Sequence, residues 1–322
     1  MATDIGFIGV GKMGFGMAGN IRKKMPATAT LHIYDVNRAA CHEFVQKFSA
    51  LGPIEIRKTS KEVAARSKTV LSMVPMDAHA RTVYLDGKNG VIGAPVDSDR
   101  LILECSTISV TATKEIGAEI IKSGIGHYVD TPVSGGVTGA EAGTLAFFCG
   151  APGDDPLVTR IRDVVSWMAK AERINFCGGL GTGLVSKIVN NYMGLTNIAV
   201  AAQGMAFGLR YGMDPKTLYK CIKGSSGDSW AMDNAQPAPS IHANSPSSNG
   251  FQPGFATHLC IKDLSLGIKA AQEVGIDASL GETAVKLFEK ANQDPRTGGL
   301  DCTSIWLHIN DQVAAFAESQ NS

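Results

Sequence analysis

The chain has 322 residues, 44% of them hydrophobic and 19% charged, and its 30 Lys plus Arg balance 30 Asp plus Glu. That length favours two domains and buries ordinary cores without disulfide or metal staples. A formal charge of zero gives no ground for a nucleic-acid partner or an anionic membrane surface. Seven cysteines, at 41, 105, 149, 177, 221, 260 and 302, form no C-x-x-C pair. An odd, scattered set fits reduced thiols in a reducing compartment. Neither Cys nor His falls at zinc-ligand spacing, so no metal is expected. Strand-like residues begin at Ile5 and no targeting segment is visible; the expected location is the cytoplasm, or the mitochondrial matrix for a trimmed eukaryotic chain.

In chain order, short apolar runs at Ile5 to Val10, Leu31 to Tyr34, Val70 to Val74, Leu101 to Cys105 and Gly126 to Asp130 read as buried strands. Segments of helical periodicity lie between them, such as Ala39 to Phe48 and Val110 to Lys122. This alternation predicts an α/β, doubly wound parallel sheet over residues 1–181, ending in the glycine-rich run Gly178 to Gly183. Leu184 to Tyr211 is apolar, free of Pro and helix-forming; at about 1.5 Å per residue it spans roughly 40 Å. Lys187, Asn190, Asn191, Asn197 and Gln203 interrupt it too often for a membrane span. It reads instead as the spine of an all-helical domain, 182–322, covered by a second subunit. Further helices are expected at Pro215 to Lys223, Thr257 to Val274, Ser279 to Asn292 and Ser304 to Ala317, with a long Pro- and Ser-rich loop from Gln236 to Gly254.

The first strand leads into Gly9-Val10-Gly11-Lys12-Met13-Gly14, a G-x-G-x-x-G that opens a helical segment, Phe15 to Lys24. The motif is informative in that context: Gly9 permits a tight turn, Gly11 lets a pyrophosphate approach the backbone, and Gly14 lets helix and strand pack closely. Phosphates would rest on the first-turn amides. The second strand ends in Asp35, 21 residues after Gly14, where a carboxylate accepts from ribose hydroxyls and repels a 2′-phosphate. NAD is therefore expected over NADP, although Arg38 is near enough in sequence to meet a phosphate.

Two further clusters carry chemistry. Ser134-Gly135-Gly136 offers a hydroxyl and unobstructed amides, suited to a carboxylate or to an ordinary glycine turn. Lys187 lies one turn into the long apolar helix, with Asn190 and Asn191 at i+3 and i+4 on the same face. Either its stem packs while its head reaches water, or it is a proton-transfer group. Oxidising an alcohol sends a hydride to a nicotinamide and a proton to a base, and apolar surroundings favour the neutral amine that takes it.

Four blocks together resemble the β-hydroxyacid dehydrogenases: Gly6 to Gly14, Thr131 to Gly136, Gly183 to Asn191, and Lys262-Asp263-Leu264. The resemblance implies an N-terminal Rossmann-type domain and an all-helical C-terminal domain joined by a long helix, with a small 3-hydroxy acid bound in the cleft between them. It assigns acid/base catalysis to Lys187, carboxylate binding to Ser134, Gly135 and Gly136, and substrate contact to Asn191. Lys262 and Asp263 would serve the cofactor, as would Met73, Val74 and Pro75 and the pair Ser106 and Thr107. Ser225 to Trp230, Asp233-Asn234 and Gly254-Phe255 look like the branch that oxidises 3-hydroxyisobutyrate to methylmalonate semialdehyde in valine catabolism, Trp230 and Phe255 shaping the pocket. Thr131 departs from the Ala usual in the second block. Alternatives within reach are reductases of glyoxylate or other short semialdehydes and a relative with imine reductase activity. Association as a homodimer or homotetramer is expected.

Overall fold

The computed structural model describes residues 3–252 and 254–310. It divides into two compact units, Met1–Lys187 and Ile188–Ser322.

In the first unit, β1 (Ile5–Ile8) runs into α1 (Lys12–Lys24), β2 (Leu31–Tyr34) into α2 (Arg38–Phe48), and β3 (Ile54–Ile56) into α3 (Ser60–Ala65). Then come β4 (Thr69–Ser72), α4 (Asp77–Leu85), β5 (Leu101–Glu104), α5 (Val110–Lys122) and β6 (His127–Asp130). These six strands form one wholly parallel sheet in the order β3-β2-β1-β4-β5-β6. This is the doubly wound Rossmann arrangement, and the strand order reverses between β1 and β4, where such sheets open a crevice at their carboxyl ends. Alternation along the strands feeds two cores. Phe7, Leu31, Ile33, Leu71, Leu103 and Val129 meet Met17 and Ile21 of α1 and Phe44 and Phe48 of α2. On the other face Ile8, Val70, Ile102 and Tyr128 meet Val63 of α3, Tyr84 of α4 and Ile116 and Ile120 of α5. Burial on both faces explains why these strands read as continuous apolar runs.

The chain then adds β7 (Val133–Ser134), α6 (Gly136–Ala142), β8 (Leu145–Cys149), α7 (Val158–Val165) and β9 (Ala169–Phe176). β7 is antiparallel and β9 parallel to β8 in a second, three-stranded sheet. The sequence pattern does not show this sheet, because β7 is two residues long and β9 is mostly exposed. It misses β3 for a similar reason, three half-exposed residues at the sheet edge.

A single helix, α8 (Thr182–Arg210), carries the chain from the first unit into the second. The second unit continues with α9 (Pro215–Ile222), α10 (Trp230–Asn234), α11 (Thr257–Glu273), α12 (Ser279–Gln293) and a last helical stretch described over residues 305–310. The remainder of the helix expected to Ala317 lies outside the described residues. Leu195, Ile198, Ala202 and Met205 of α8 pack with Cys260, Leu264, Phe288 and Trp306 in one core. The only strand-like feature described there is an isolated bridge, Ala256 to Asp301. The Ser-rich loop is tied internally: Ser247 Oγ donates to the Gln236 carbonyl at 2.6 Å and Asn249 Nδ2 to the Ala243 carbonyl at 2.8 Å. Among the described residues no helix is long and apolar enough to cross a membrane.

Candidate functional site

The first unit gathers its chemistry at the carboxyl ends of the parallel strands. Gly9 follows β1 with φ at +91°, and a β-carbon there would lie 2.2 Å from the Met73 carbonyl oxygen. At Gly14 a β-carbon would come within 1.8 Å of the Gly9 carbonyl. Both positions therefore admit only glycine in this turn. A β-carbon on Gly11 would meet nothing within 4 Å, so the face it presents is open. Gly11 caps α1, whose first turn has no side-chain cap and no acidic residue, with Lys12 exposed and Met13 half-buried. An open, uncapped helix start behind a glycine turn fits the pyrophosphate of a dinucleotide.

Asp35 stands at the end of β2. Its Oδ2 accepts from the Val10 amide at 2.8 Å and its Oδ1 from the Asn37 amide at 2.7 Å. The acid thus fixes the glycine turn. Arg38 donates from Nη1 to the Arg57 carbonyl at 2.6 Å.

On the other side of β1, the Met73-Val74-Pro75 loop is locked to the next one. The Val74 amide donates to Ser106 Oγ at 2.7 Å, and the Ser106 amide donates to Glu104 Oε1 at 2.7 Å. Glu104 Oε2 accepts from Ser72 Oγ at 2.5 Å, and Ser72 Oγ shares a 2.5 Å hydrogen bond with the Tyr84 hydroxyl. Glu104 is fully buried. Burial pushes its carboxyl above the usual range, opposed by the hydrogen bonds from Ser106 and Ser72. Thr107, beside Ser106, is half-buried.

Ser134, Gly135 and Gly136 form the turn between β7 and α6, half-buried to exposed. Asn20 of α1 donates from Nδ2 to the Ala140 carbonyl at 2.7 Å, which holds α6 against the dinucleotide helix. Lys187, in the second turn of α8, is only 7% exposed. A lysine merely laying its stem on the surface leaves its head in water; this side chain is enclosed.

In the second unit, Asn191 is 9% exposed and donates from Nδ2 to Asp263 Oδ2 at 2.7 Å. Asn190 donates in turn to Asn191 Oδ1 at 3.1 Å. Lys262 Nζ lies 3.1 Å from Asp263 Oδ1, an ion pair by distance without hydrogen-bond alignment. The structure therefore joins Asn191, Asp263 and Lys262 into one polar cluster. Trp230 and Phe255 are not joined to one another by any ring contact among the described residues. Trp230 is 65% exposed at the start of α10, while Phe255 is partly buried against the helical core.

Comparison with known proteins finds two family matches, one on each part of the chain. Residues 4–181 fit the family described as the NAD binding domain of 6-phosphogluconate dehydrogenase. Residues 181–307 fit the family described as the NAD-binding domain of NADP-dependent 3-hydroxyisobutyrate dehydrogenase. A 3-hydroxyisobutyrate dehydrogenase of Pseudomonas aeruginosa is 35% identical over 304 residues, covering 94% of this chain and 97% of that one. The chain belongs to the β-hydroxyacid dehydrogenase family. The human mitochondrial 3-hydroxyisobutyrate dehydrogenase is 34% identical over 286 residues, 89% of this chain and 81% of its own. Among solved structures, the Mycobacterium tuberculosis 3-hydroxyisobutyrate dehydrogenase described with L-serine superposes with a TM-score of 0.85 at 31% identity, covering 96% of this chain and 99% of that one. As a β-hydroxyacid dehydrogenase the chain is an oxidoreductase with a nicotinamide-dinucleotide-binding domain.

Reading the sequence alone overlooked three polar residues in this neighbourhood: Asn20, Glu104 and Asp130, all buried. The available signal was an acid closing an otherwise apolar run, as in Leu101-Ile102-Leu103-Glu104, since an uncompensated buried carboxyl is costly.

Replacing Gly14 with Ala forces the 1.8 Å contact with Gly9 to be relieved by moving the turn. The expected result is loss of roughly 1–3 kcal/mol of stability and NADH affinity lower by about tenfold or more. Thermal melting and a fluorescence titration measure both; wild-type affinity in Gly14→Ala contradicts the assignment of the pyrophosphate cradle.

Proposed function

We propose that this chain oxidises the primary alcohol of 3-hydroxyisobutyrate to methylmalonate semialdehyde with NAD, within valine catabolism, with residues 1–181 binding the dinucleotide and 182–322 forming the substrate and association domain. The observation that carries the reading is the burial of Lys187, in an α8 segment that resembles the family's catalytic block. Lys187 accepts the hydroxyl proton as the carbon–oxygen double bond forms, and its ammonium returns that proton to solvent. A bound NAD supplies the acceptor for the hydride that leaves the same carbon. Ser134, Gly135 and Gly136 hold the substrate carboxylate, and Asn191, oriented by Asp263, bonds the substrate. Gly9, Gly11, Lys12, Met13, Gly14 and Asp35 hold the adenosine and phosphate end of the cofactor. Met73, Val74, Pro75, Ser106, Thr107, Lys262 and Asp263 serve the rest, while Trp230 and Phe255 shape the substrate's methyl pocket.

Removing the amine tests the catalytic part. Lys187→Ala is expected to cut kcat by roughly 10²–10⁴-fold while NADH still binds. Turnover close to wild type refutes the acid/base role. A panel of 3-hydroxyisobutyrate, 3-hydroxypropionate, glycerate and L-serine tests the substrate. The M. tuberculosis relative described with L-serine supports serine as a second reading; a higher kcat/KM on serine favours it.

The preference for NAD over NADP rests on Asp35, whose negative charge opposes a 2′-phosphate, and on Arg38, whose Nη1 donates to Arg57. kcat/KM with NAD is expected to exceed that with NADP by an order of magnitude or more, about 1.4 kcal/mol. Equal efficiency rejects this role for Asp35.

Self-association is supported by α8, where Val189, Met193, Val200 and Phe207, followed by Tyr211, are exposed at spacings of 4, 7, 7 and 4, a single apolar stripe. A groove of about 470 Å³, lined by Phe207, Tyr211 and Ile309, continues it. A second copy of the chain covers that stripe in this reading, giving a homodimer or homotetramer. Sedimentation at micromolar concentration should show no stable monomer, and a persistent monomer contradicts the reading. The human relative is named as mitochondrial; together with seven unbridged thiols this supports a reducing compartment, matrix or cytoplasm.

A further inference from the structure

β6 ends at Asp130, which is fully buried, and four residues later the chain reaches Ser134. The main chain of Asp130 is fixed on both sides: its carbonyl accepts from the Gly150 amide at 2.7 Å, and the next residue, Thr131, donates its amide to the Glu104 carbonyl at 2.7 Å. The side chain crosses to a different element. Oδ1 accepts from the Gly181 amide at 2.8 Å and Oδ2 from the Leu184 amide at 2.8 Å. Those two amides belong to the start of α8, and Lys187 is the next residue on the Leu184 face, three positions along.

The surroundings are shaped around this carboxylate. A β-carbon at position 150 would lie 2.0 Å from Asp130 Oδ1, and one at position 183 would lie 2.9 Å from Oδ2 and 2.2 Å from the Phe148 carbonyl. Glycine stands at both positions. Burial pushes the Asp130 carboxyl above the usual range, while the amides of Gly181 and Leu184 favour its charged form, as does the positive end of a helix. α8 is 29 residues long and holds together without this contact. Together with Leu184, buried in the core of the first unit, the contact sets where the first turn sits.

We propose that Asp130 is the positioning residue for Lys187: it ties the first turn of α8 to the strand whose continuation is the Ser134 turn, so the amine and the carboxylate-binding turn keep a fixed spacing. This rests on Lys187 being the acid/base. Asp130 touches neither substrate nor cofactor in this role; it acts through the helix.

A double-mutant cycle tests it, using the full chain, 3-hydroxyisobutyrate and NAD. Asp130→Asn keeps the shape but turns an amide NH₂ toward one of the two main-chain donors. It is expected to lower kcat about 10–100-fold, the range that a misplacement of about 1 Å produces. KM for NAD and the affinity for NADH should stay at wild-type values. On the Lys187→Ala background the same substitution should change kcat hardly at all, because residues acting as a unit are non-additive. Gly150→Ala, which displaces the same carboxylate, should reproduce the pattern and decides the matter if Asp130→Asn does not fold. Unchanged kcat in the single variants overturns the proposal, as does an equal fold-loss on both backgrounds. Lys187→Ala with normal turnover instead overturns the acid/base reading itself.

Discussion

Three acids stand where parallel strands end; Asp35 and Asp130 reach across to the main chain of another segment, and Glu104 to the side chain of a neighbouring strand. Asp35, after β2, holds the Val10 amide of the glycine turn. Glu104, closing β5, holds Ser72 of β4 and the Ser106 amide, and Ser106 holds Val74. Asp130, closing β6, holds Gly181 and Leu184. A parallel sheet leaves its carboxyl edge as a row of separate loops, each free to drift. Hydrogen-bond-accepting carboxyl groups anchored on rigid strands remove that freedom, and hydrogen bonds to a carboxylate are stronger than neutral ones. The sheet thereby lends its own rigidity to the loops at its carboxyl edge.

Much of the fold is legible in the amino-acid sequence alone. The parallel sheet followed from continuous apolar runs separated by helical periods, and α5 was expected with the bounds it has, Val110–Lys122. The glycine turn was legible because its three glycines, the preceding strand and the following helix are all local. Asp35 stands out in the sequence as the acid closing the second strand, but its bond to Val10 spans 25 residues and carries no sequence mark. The bonds of Asp130 span 51 and 54 residues and those of Glu104 to Ser72 span 32. Such long-range polar pairs are set by topology, so they emerge only once strand order is known. The small second sheet escaped for another reason: β9 alternates weakly and faces solvent, so its hydrophobic period is too faint to read.

The helical unit shows the opposite balance. Its longer helices α8, α9, α11 and α12 lie close to the segments that the sequence pattern marks, because they present apolar faces to a common core, whereas the five-residue α10 is too short to show a period. Its candidate site is sparse by comparison. Asn191 gains orientation from Asp263, which Lys262 also approaches. Trp230, by contrast, stands largely in solvent at the head of a five-residue helix. Aromatic residues in a resemblance block are therefore weaker guides to a pocket than polar residues whose partners are fixed.

The two bonds already made by Asp35 bear on coenzyme engineering. An ionised carboxylate offers about four lone-pair directions, and the amides of Val10 and Asn37 occupy two. Exchanging this residue for a small neutral one, the usual way to admit a phosphorylated adenosine, would unfasten the glycine turn at the same stroke. In the proposed reading, a redesign that keeps the acid and changes exposed Val36 instead leaves the turn fastened.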